Sequence, residues 1–229
     1  MSNRPRWMVW WYKAARVVVR LAGAAFFRVR YTGVENIPQS GGVILTANHQ
    51  STLDPPLIGA GVPRRLNFLA RKTLYRWKPF AMLVRSLDAI PLDQEGSPLA
   101  GLREALRRVR RGEATLIFPE GSRSWDGAIA PFQPGFAVLA RRSRARIVPV
   151  AIEGAWDAWP RWQWLPRFGP VHVFYGPPLS PEDVARLDDQ QLVAEVERRV
   201  RALHAELCAR PVFRRRKWRP RPPTPLPPD

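Results

Sequence analysis

Short apolar runs, each separated from the next by a turn or a stretch of helical periodicity, are the feature of this chain that leaves the fewest folds open. They fall at residues 43–46, 66–69, 89–92, 115–118, 147–152 and 171–175, and most are unbroken rather than alternating in polarity. A strand that is apolar on both faces has to be covered on both. The pattern therefore predicts α/β architecture, a mixed and largely buried sheet flanked by helices.

Helix boundaries between the runs are marked by residue chemistry. Ser97-Pro98 supplies a cap and a first-turn proline, Leu99, Leu102, Leu106 and Val109 form a buried stripe, and Gly112 ends the helix. Ser180-Pro181-Glu182-Asp183 opens another helical region with acids at its positive end. Beyond it Leu192, Val196, Val200, Leu203 and Leu207 predict a long core-facing helix.

Charge narrows the choice of partner. Thirty-seven Lys and Arg against nineteen Asp and Glu leave +18, which draws a protein toward an anionic surface, lipid or nucleic acid. Residues 1–30 hold seven cations and no acid, while residues 213–229 hold six cations, one acid and six prolines. The body between them keeps a small share of the excess. At about 100° per residue, Arg6, Lys13, Arg16 and Arg20 share one helical stripe, and Trp7, Trp11, Ala14, Val18, Leu21 and Ala22 share another. Such a helix can lie in the plane of an anionic membrane; packing against its own domain is the competing expectation. The expected organisation is a basic amphipathic membrane-interface helix over residues 1–30, a folded domain over 31–212, and an extended basic, proline-rich tail over 213–229.

The longest uncharged stretch near the N-terminus, residues 21–27, is too short to cross a bilayer or to form a signal-peptide core. The single cysteine, Cys208, excludes an internal disulfide and fits a reducing compartment. No Cys or His run has zinc-site spacing, so no metal is expected, and Cys208 reads as a buried structural thiol in a late helix. His172 and His204 read as structural or exposed. The cluster Trp156, Trp159, Trp162 and Trp164 suits either a water–lipid interface or packing against the sheet.

Two polar blocks follow predicted strands. In Asn48-His49-Gln50-Ser51-Thr52-Leu53-Asp54, followed by Pro55, the proline suits a helix's first position, Asp54 its cap, and His49 the preceding turn. A carboxylate reaching back to the imidazole fixes its tautomer and leaves the other ring nitrogen free to take a proton. In Phe118-Pro119-Glu120-Gly121-Ser122-Arg123, the glycine lets backbone approach a ligand, and the guanidinium offers a planar fork for phosphate oxygens. Ser51 is the alternative, a nucleophile activated by His49.

Taken together, in this order and about 70 residues apart, the two blocks resemble the glycerolipid acyltransferase family, which makes phosphatidic acid from lysophosphatidic acid. Ala70-Arg71-Lys72-Thr73-Leu74 with Pro79-Phe80, and Val148-Pro149-Val150, resemble two further family segments, and the likeness covers roughly residues 30–180. The resemblance implies transfer of a fatty acyl group from a thioester carrier, acyl-CoA or acyl carrier protein, to a lysophospholipid hydroxyl by direct attack, without a bound cofactor. It implies His49 as general base and Asp54 as its orienting partner. Arg123 and Lys72 would hold the acceptor phosphate, with Glu120, Gly121 and Ser122 shaping that pocket. It also implies a peripheral or monotopic protein at the cytoplasmic face of the cell membrane.

Two departures bear on the acceptor. Leu92-Asp93-Gln94 and Phe132-Gln133-Pro134-Gly135 stand where many relatives place cations, so a different lysolipid, such as a lyso-ornithine lipid, is the alternative acceptor. Two other classes compete. A basic RNA-binding module would use the charged ends, although no aromatic RNA-binding signature accompanies them and nucleic acid is the disfavoured partner. A hydrolase would turn the same His and Asp on water.

Overall fold

A computed structural model describes residues 5–71, 89–92 and 98–214. Seven described strands, β1 (Arg30–Thr32), β2 (Val43–Ala47), β3 (Leu66–Arg71), β4 (Ile90–Leu92), β5 (Ala114–Ile117), β6 (Arg146–Glu153) and β7 (His172–Tyr175), form one sheet in the order β1-β7-β6-β2-β5-β3-β4. Every neighbouring pair is parallel except β6 with β7. The sheet is thus mixed, as expected. The central strand β2 is buried along its whole length, which is why its residues form an unbroken apolar run. The strand that sequence reading omits is β1, three residues with the half-exposed pattern of a sheet edge and no apolar run to betray it.

Alternation along the strands divides the core in two. Val43, Leu45, Val148, Val150 and Leu116 face α2 (Asp54–Gly61) through Leu57 and Ile58, and reach Phe27 at the end of α1 (Arg6–Phe27). Ile44 and Ile147 face the other way, onto Ala105 and Val109 of α3 (Pro98–Arg110), Phe136 and Leu139 of α4 (Gly135–Ser143), and Leu192, Val196 and Val200 of α7 (Asp189–Ala209). Helices therefore cover both faces of the sheet. The helix predicted to begin after Ser180 is two: α6 (Pro181–Arg186), with a Ser180/Asp183 capping box, and α7, with its own Asp188/Gln191 box. Gly112, at φ +83°, ends α3 in the left-handed conformation that an L side chain resists.

The N-terminal helix has three faces. Tyr12, Gly23 and Phe27 are buried against the body, and the Tyr12 hydroxyl accepts the Leu66 N–H at 3.0 Å. Gly23 permits the close crossing with α2: a β-carbon there would lie 3.1 Å from Val29 and 3.3 Å from Leu57. Trp7, Trp10, Trp11, Val18 and Leu21 point outward, all at least 46% exposed. Arg6, Lys13 and Arg20 lie between these two faces and are exposed, but Arg16 turns inward to donate to the Val62 carbonyl at 2.6 Å. The two expectations for this segment are therefore not exclusive, because docking uses a stripe that leaves the tryptophans exposed to solvent. No described helix is long and apolar enough to cross a membrane.

At the other end, Phe213 is 3% exposed within the short helix α8 (Pro211–Arg214) and meets His172 edge-on at 4.9 Å. The folded body thus runs past the expected boundary at 212. The rest of the tail, and Lys72 with the segment 72–88, lie outside the described residues.

Candidate active site

Parallel neighbours β2 and β5 pair Thr46 with Ile117, and β2 pairs Ala47 with Val150 of β6 on its other side. The segments leaving the carboxyl ends of these strands consequently emerge side by side, the usual place for a ligand site in a sheet of this kind. Asn48 extends the β2–β6 pairing with its side chain, accepting from the Ile152 N–H at 2.9 Å and donating to the Ile152 carbonyl at 3.0 Å. Its amide imitates a backbone unit and fixes where the chain turns toward His49.

His49 Nδ1 lies 2.8 Å from Asp54 Oδ2. The same oxygen accepts the backbone N–H groups of Gln50 at 2.6 Å and Ser51 at 2.7 Å. Asp54 opens α2 as its first residue, after Leu53. The expected cap is corrected here: the carboxylate turns back to the preceding loop instead of capping the helix ahead. Two backbone donors fix the carboxylate in place, and the carboxylate orients the ring through Nδ1, so that Nε2 is the nitrogen turned away from it. The imidazole stacks on Phe118, with ring centroids 3.9 Å apart and 17° between planes, and its side chain keeps 17% exposure.

The second block is locked onto the first. Glu120 Oε1 accepts the His49 N–H at 2.7 Å, and Oε2 accepts the Ala130 N–H at 2.8 Å. Ser124 N donates to the His49 carbonyl at 2.7 Å. Arg123 donates to Thr52 Oγ1 at 2.7 Å, midway between His49 and Asp54. Burial lifts the Glu120 carboxyl to about 7 even though its two backbone donors and Arg201 favour the charged form. Glu120 therefore ties two loops together. Gly121, at φ +75° with open space where a β-carbon would stand, and Ser122 are exposed beside it.

The alternatives involving Ser51 and Cys208 are both revised. Ser51 is fully buried, and its hydroxyl donates to the Trp159 carbonyl at 2.7 Å, so it is no candidate nucleophile. Cys208 is only partly buried, and its sulfur lies 3.8 Å from His204 Nδ1 instead of among apolar side chains alone.

His204, read from the sequence as structural or exposed, is tied into the surroundings of the site by contacts that sequence reading does not supply. Its Nε2 lies 2.8 Å from Glu153 Oε2, a carboxylate 1% exposed, and Gln50 Nε2 donates to that same oxygen at 3.1 Å. The chain from α7 through Glu153 to Gln50 ends one residue from His49. The one signal available was the i, i+4 spacing of His204 and Cys208 on a helix. Glu153, His204 and Cys208 are also the one trio of metal-capable side chains among the described residues whose ligand atoms lie within 4.8 Å of one another, and these atoms are turned on each other.

Burial works against the His204 imidazolium, but its contacts with Cys208 and Glu153 outweigh that cost and carry it up to about 9. A cation favoured by folding stabilises fully below the unfolded value, about 6.5, and its contribution is lost as pH rises through about 9. Chemical denaturation should lose on the order of 3 kcal/mol of stability across that window, and His204→Gln should remove most of that slope. A parent profile without this slope would count against the pair.

Three layers and a carboxylate-backed histidine define an α/β protein with a polar site at the carboxyl ends of its central parallel strands. The sequence profile of the Acyltransferase family matches residues 28–153, and the chain belongs to that family. It is 25% identical over 182 residues to the 1-acyl-sn-glycerol-3-phosphate acyltransferase of Bacillus subtilis strain 168, covering 79% of this chain and 86% of that one. The Pseudomonas aeruginosa PAO1 protein of the same name is 29% identical over 204 residues, covering 87% and 75%. The Limnanthes alba protein is 32% identical over 151 residues, 64% of this chain and 54% of its own. The crystal structure of the 1-acyl-sn-glycerophosphate (LPA) acyltransferase PlsC from Thermotoga maritima superposes with a TM-score of 0.79 at 28% identity, covering 92% of this chain and 85% of that one. The protein is an acyltransferase of α/β fold.

Proposed function

We propose that the protein moves a fatty acyl group from a thioester, acyl-CoA or acyl carrier protein, to the free hydroxyl of lysophosphatidic acid at a membrane surface. The observation that carries this reading is the interlocking of the two loops, with His49 held by Asp54 at 2.8 Å and Arg123 anchored at Thr52 between them. The acceptor hydroxyl gives its proton to His49 Nε2 as its oxygen attacks the thioester carbonyl carbon. The carbon–sulfur bond then breaks, and the proton passes from the imidazolium to the leaving thiolate. Asp54 stabilises the imidazolium between these steps. Arg123 places the acceptor by its phosphate, Gly121 and Ser122 border that phosphate, and Lys72 is a second cation for it. Support for the acceptor comes from the names of the relatives above, and for the membrane from the outward tryptophans and cations of α1.

A second acceptor is favoured by one observation. Gln133 N donates to the Pro119 carbonyl at 2.8 Å, so a residue with a neutral side chain lies beside the Glu120–Arg123 turn. A lysolipid with a less anionic headgroup, such as a lyso-ornithine lipid, would fit a site short of cations.

One experiment addresses both readings. Purified protein incubated with labelled acyl-CoA and a panel of lysolipids should yield phosphatidic acid as its main product by mass. Lyso-ornithine lipid as the preferred acceptor would replace the first reading with the second, and free fatty acid alone would make the protein a hydrolase. Arg123→Ala should lower use of phosphate-bearing acceptors by ~10–100-fold, the value of a charge-assisted hydrogen bond, while sparing a neutral acceptor. An unchanged acceptor profile would remove Arg123 from this role.

A further inference from the structure

Among the described residues, large apolar side chains left exposed fall mainly into two groups. One is the outward stripe of α1. The other lies between α5 (Ala155–Ala158) and β7, where Trp164 is 89%, Leu165 67% and Phe168 75% exposed. Single exposed apolar residues are ordinary, but three within five positions are not. The two groups are joined: Phe168 stacks on Phe26 of α1 with centroids 5.2 Å apart, and Val171 N donates to the Phe27 carbonyl at 2.9 Å.

The base of this loop is fixed. Arg167 N donates to the Ala158 carbonyl at 2.7 Å, and Trp159 Nε1 to the Gln163 carbonyl at 2.8 Å. The base is also part of the site's surroundings. The Trp159 carbonyl accepts the Ser51 hydroxyl, and Trp162 packs on Trp125, two residues beyond Arg123, at 5.3 Å. The tetrad of tryptophans thus divides by position. Trp156 is 3% exposed and belongs to the core, whereas Trp164 stands free.

We propose that residues 164–168 form a second bilayer-seated element which, with the outward stripe of α1, sets the site's mouth against an anionic membrane, so that a lysolipid reaches His49 without leaving the lipid phase. This rests on the membrane reading given above. Charge selects lipid over a second copy of the chain as the occupant. Arg161 and Arg167 on the loop and Lys13 and Arg20 on the helix are exposed, and neither residues 6–27 nor residues 158–171 contain an acid. Two such surfaces face to face would oppose only like charges, whereas anionic headgroups complement them.

The test is sedimentation of the full chain with phosphatidylcholine vesicles containing phosphatidylglycerol, comparing the parent, a loop variant (Trp164→Ser, Leu165→Ser, Phe168→Ser) and a helix variant (Trp7→Ser, Trp10→Ser, Trp11→Ser). The loop variant is expected to partition at least ~10-fold more weakly, while acylation of a short-chain, monomeric lysophosphatidic acid stays within about twofold of the parent because the three side chains lie outside the site. If the helix variant loses binding and the loop variant keeps it, the loop proposal is overturned and the role of α1 stands. If both variants bind like the parent, both fall. A parent dimer in solution that the loop substitutions dissolve would assign the patch to a second copy instead.

Discussion

Replacing His49 with alanine lowers turnover by at least ~100-fold, the lower range for loss of a positioned general base, while the chain stays folded and vesicle binding stays at the parent's level. The expected size of the effect follows from the lack of a substitute nearby. Both oxygens of Glu120 are engaged by backbone N–H groups, and the ring of His204 is turned to Glu153. The imidazoles of His49 and His204 each have one nitrogen held by a buried carboxylate and keep partial exposure, but of the two it is His49 whose backbone is bonded to Glu120 of the second polar block. The measurement is kcat with saturating acyl donor and acceptor, accompanied by a melting curve. A variant that folds and retains a tenth of the parent's rate would end the general-base assignment. Stacking on Phe118 makes alanine the mildest informative change, because it removes the ring without introducing a larger group into the space above that phenyl.

The site was more legible in the chain than the surfaces around it. His49 and Asp54 are five residues apart and act through one turn into a helix, so local sequence nearly determines their meeting. Their meeting with Glu120 and Arg123 is a fact of topology: apolar runs at 43–46 and 115–118 announce two strands, and only the sheet order makes them neighbours. The link from Gln50 to Glu153 and His204 spans 103 and 154 residues. No spacing rule can supply that, because it depends on how α7 lies across the end of β6. The reach of Asp54 back to the imidazole is as expected, but its capping role is not: a proline at the first helical positions marks a helix start, yet it does not say which backbone donors the preceding carboxylate meets. Likewise the two stripes drawn on residues 6–27 omitted the third that docks the helix, since Tyr12 and Gly23 carry no strong hydropathic signal.

These contacts divide the site into parts with different consequences. Under the proposed function, Arg123 and the exposed turn at Gly121 and Ser122 are the groups that would touch an acceptor, so changes there should alter which lysolipid is used. Glu120, Asn48 and Gln50 are spent on backbone and buried partners, so changes there should act through the position of His49. Hydrogen bonds from backbone N–H groups to a buried carboxylate cost more to break than to forgo, because the donors are left without water.

Asp54→Asn separates orientation from charge and carries the second large effect, a fall in kcat on the order of 10²–10⁴-fold. Its carboxylate oxygen receives three donors: His49 Nδ1–H, Gln50 N–H and Ser51 N–H. An amide can face them in two ways. With its oxygen toward them, the three bonds survive, but the counter-charge that stabilises the imidazolium during proton transfer is gone. With its nitrogen toward them, donors oppose donors, the ring shifts its proton to Nε2, and the basic position is lost. Both outcomes reduce proton abstraction without removing any group assigned to the acceptor's headgroup, so KM for lysolipid should change far less than kcat. The combination His49→Ala with Asp54→Asn is the decisive comparison, because groups acting as one unit are non-additive. The double variant should be about as slow as His49→Ala alone. If its rate falls by the product of the two single losses, Asp54 acts on something other than His49, and the 2.8 Å contact between them is structural.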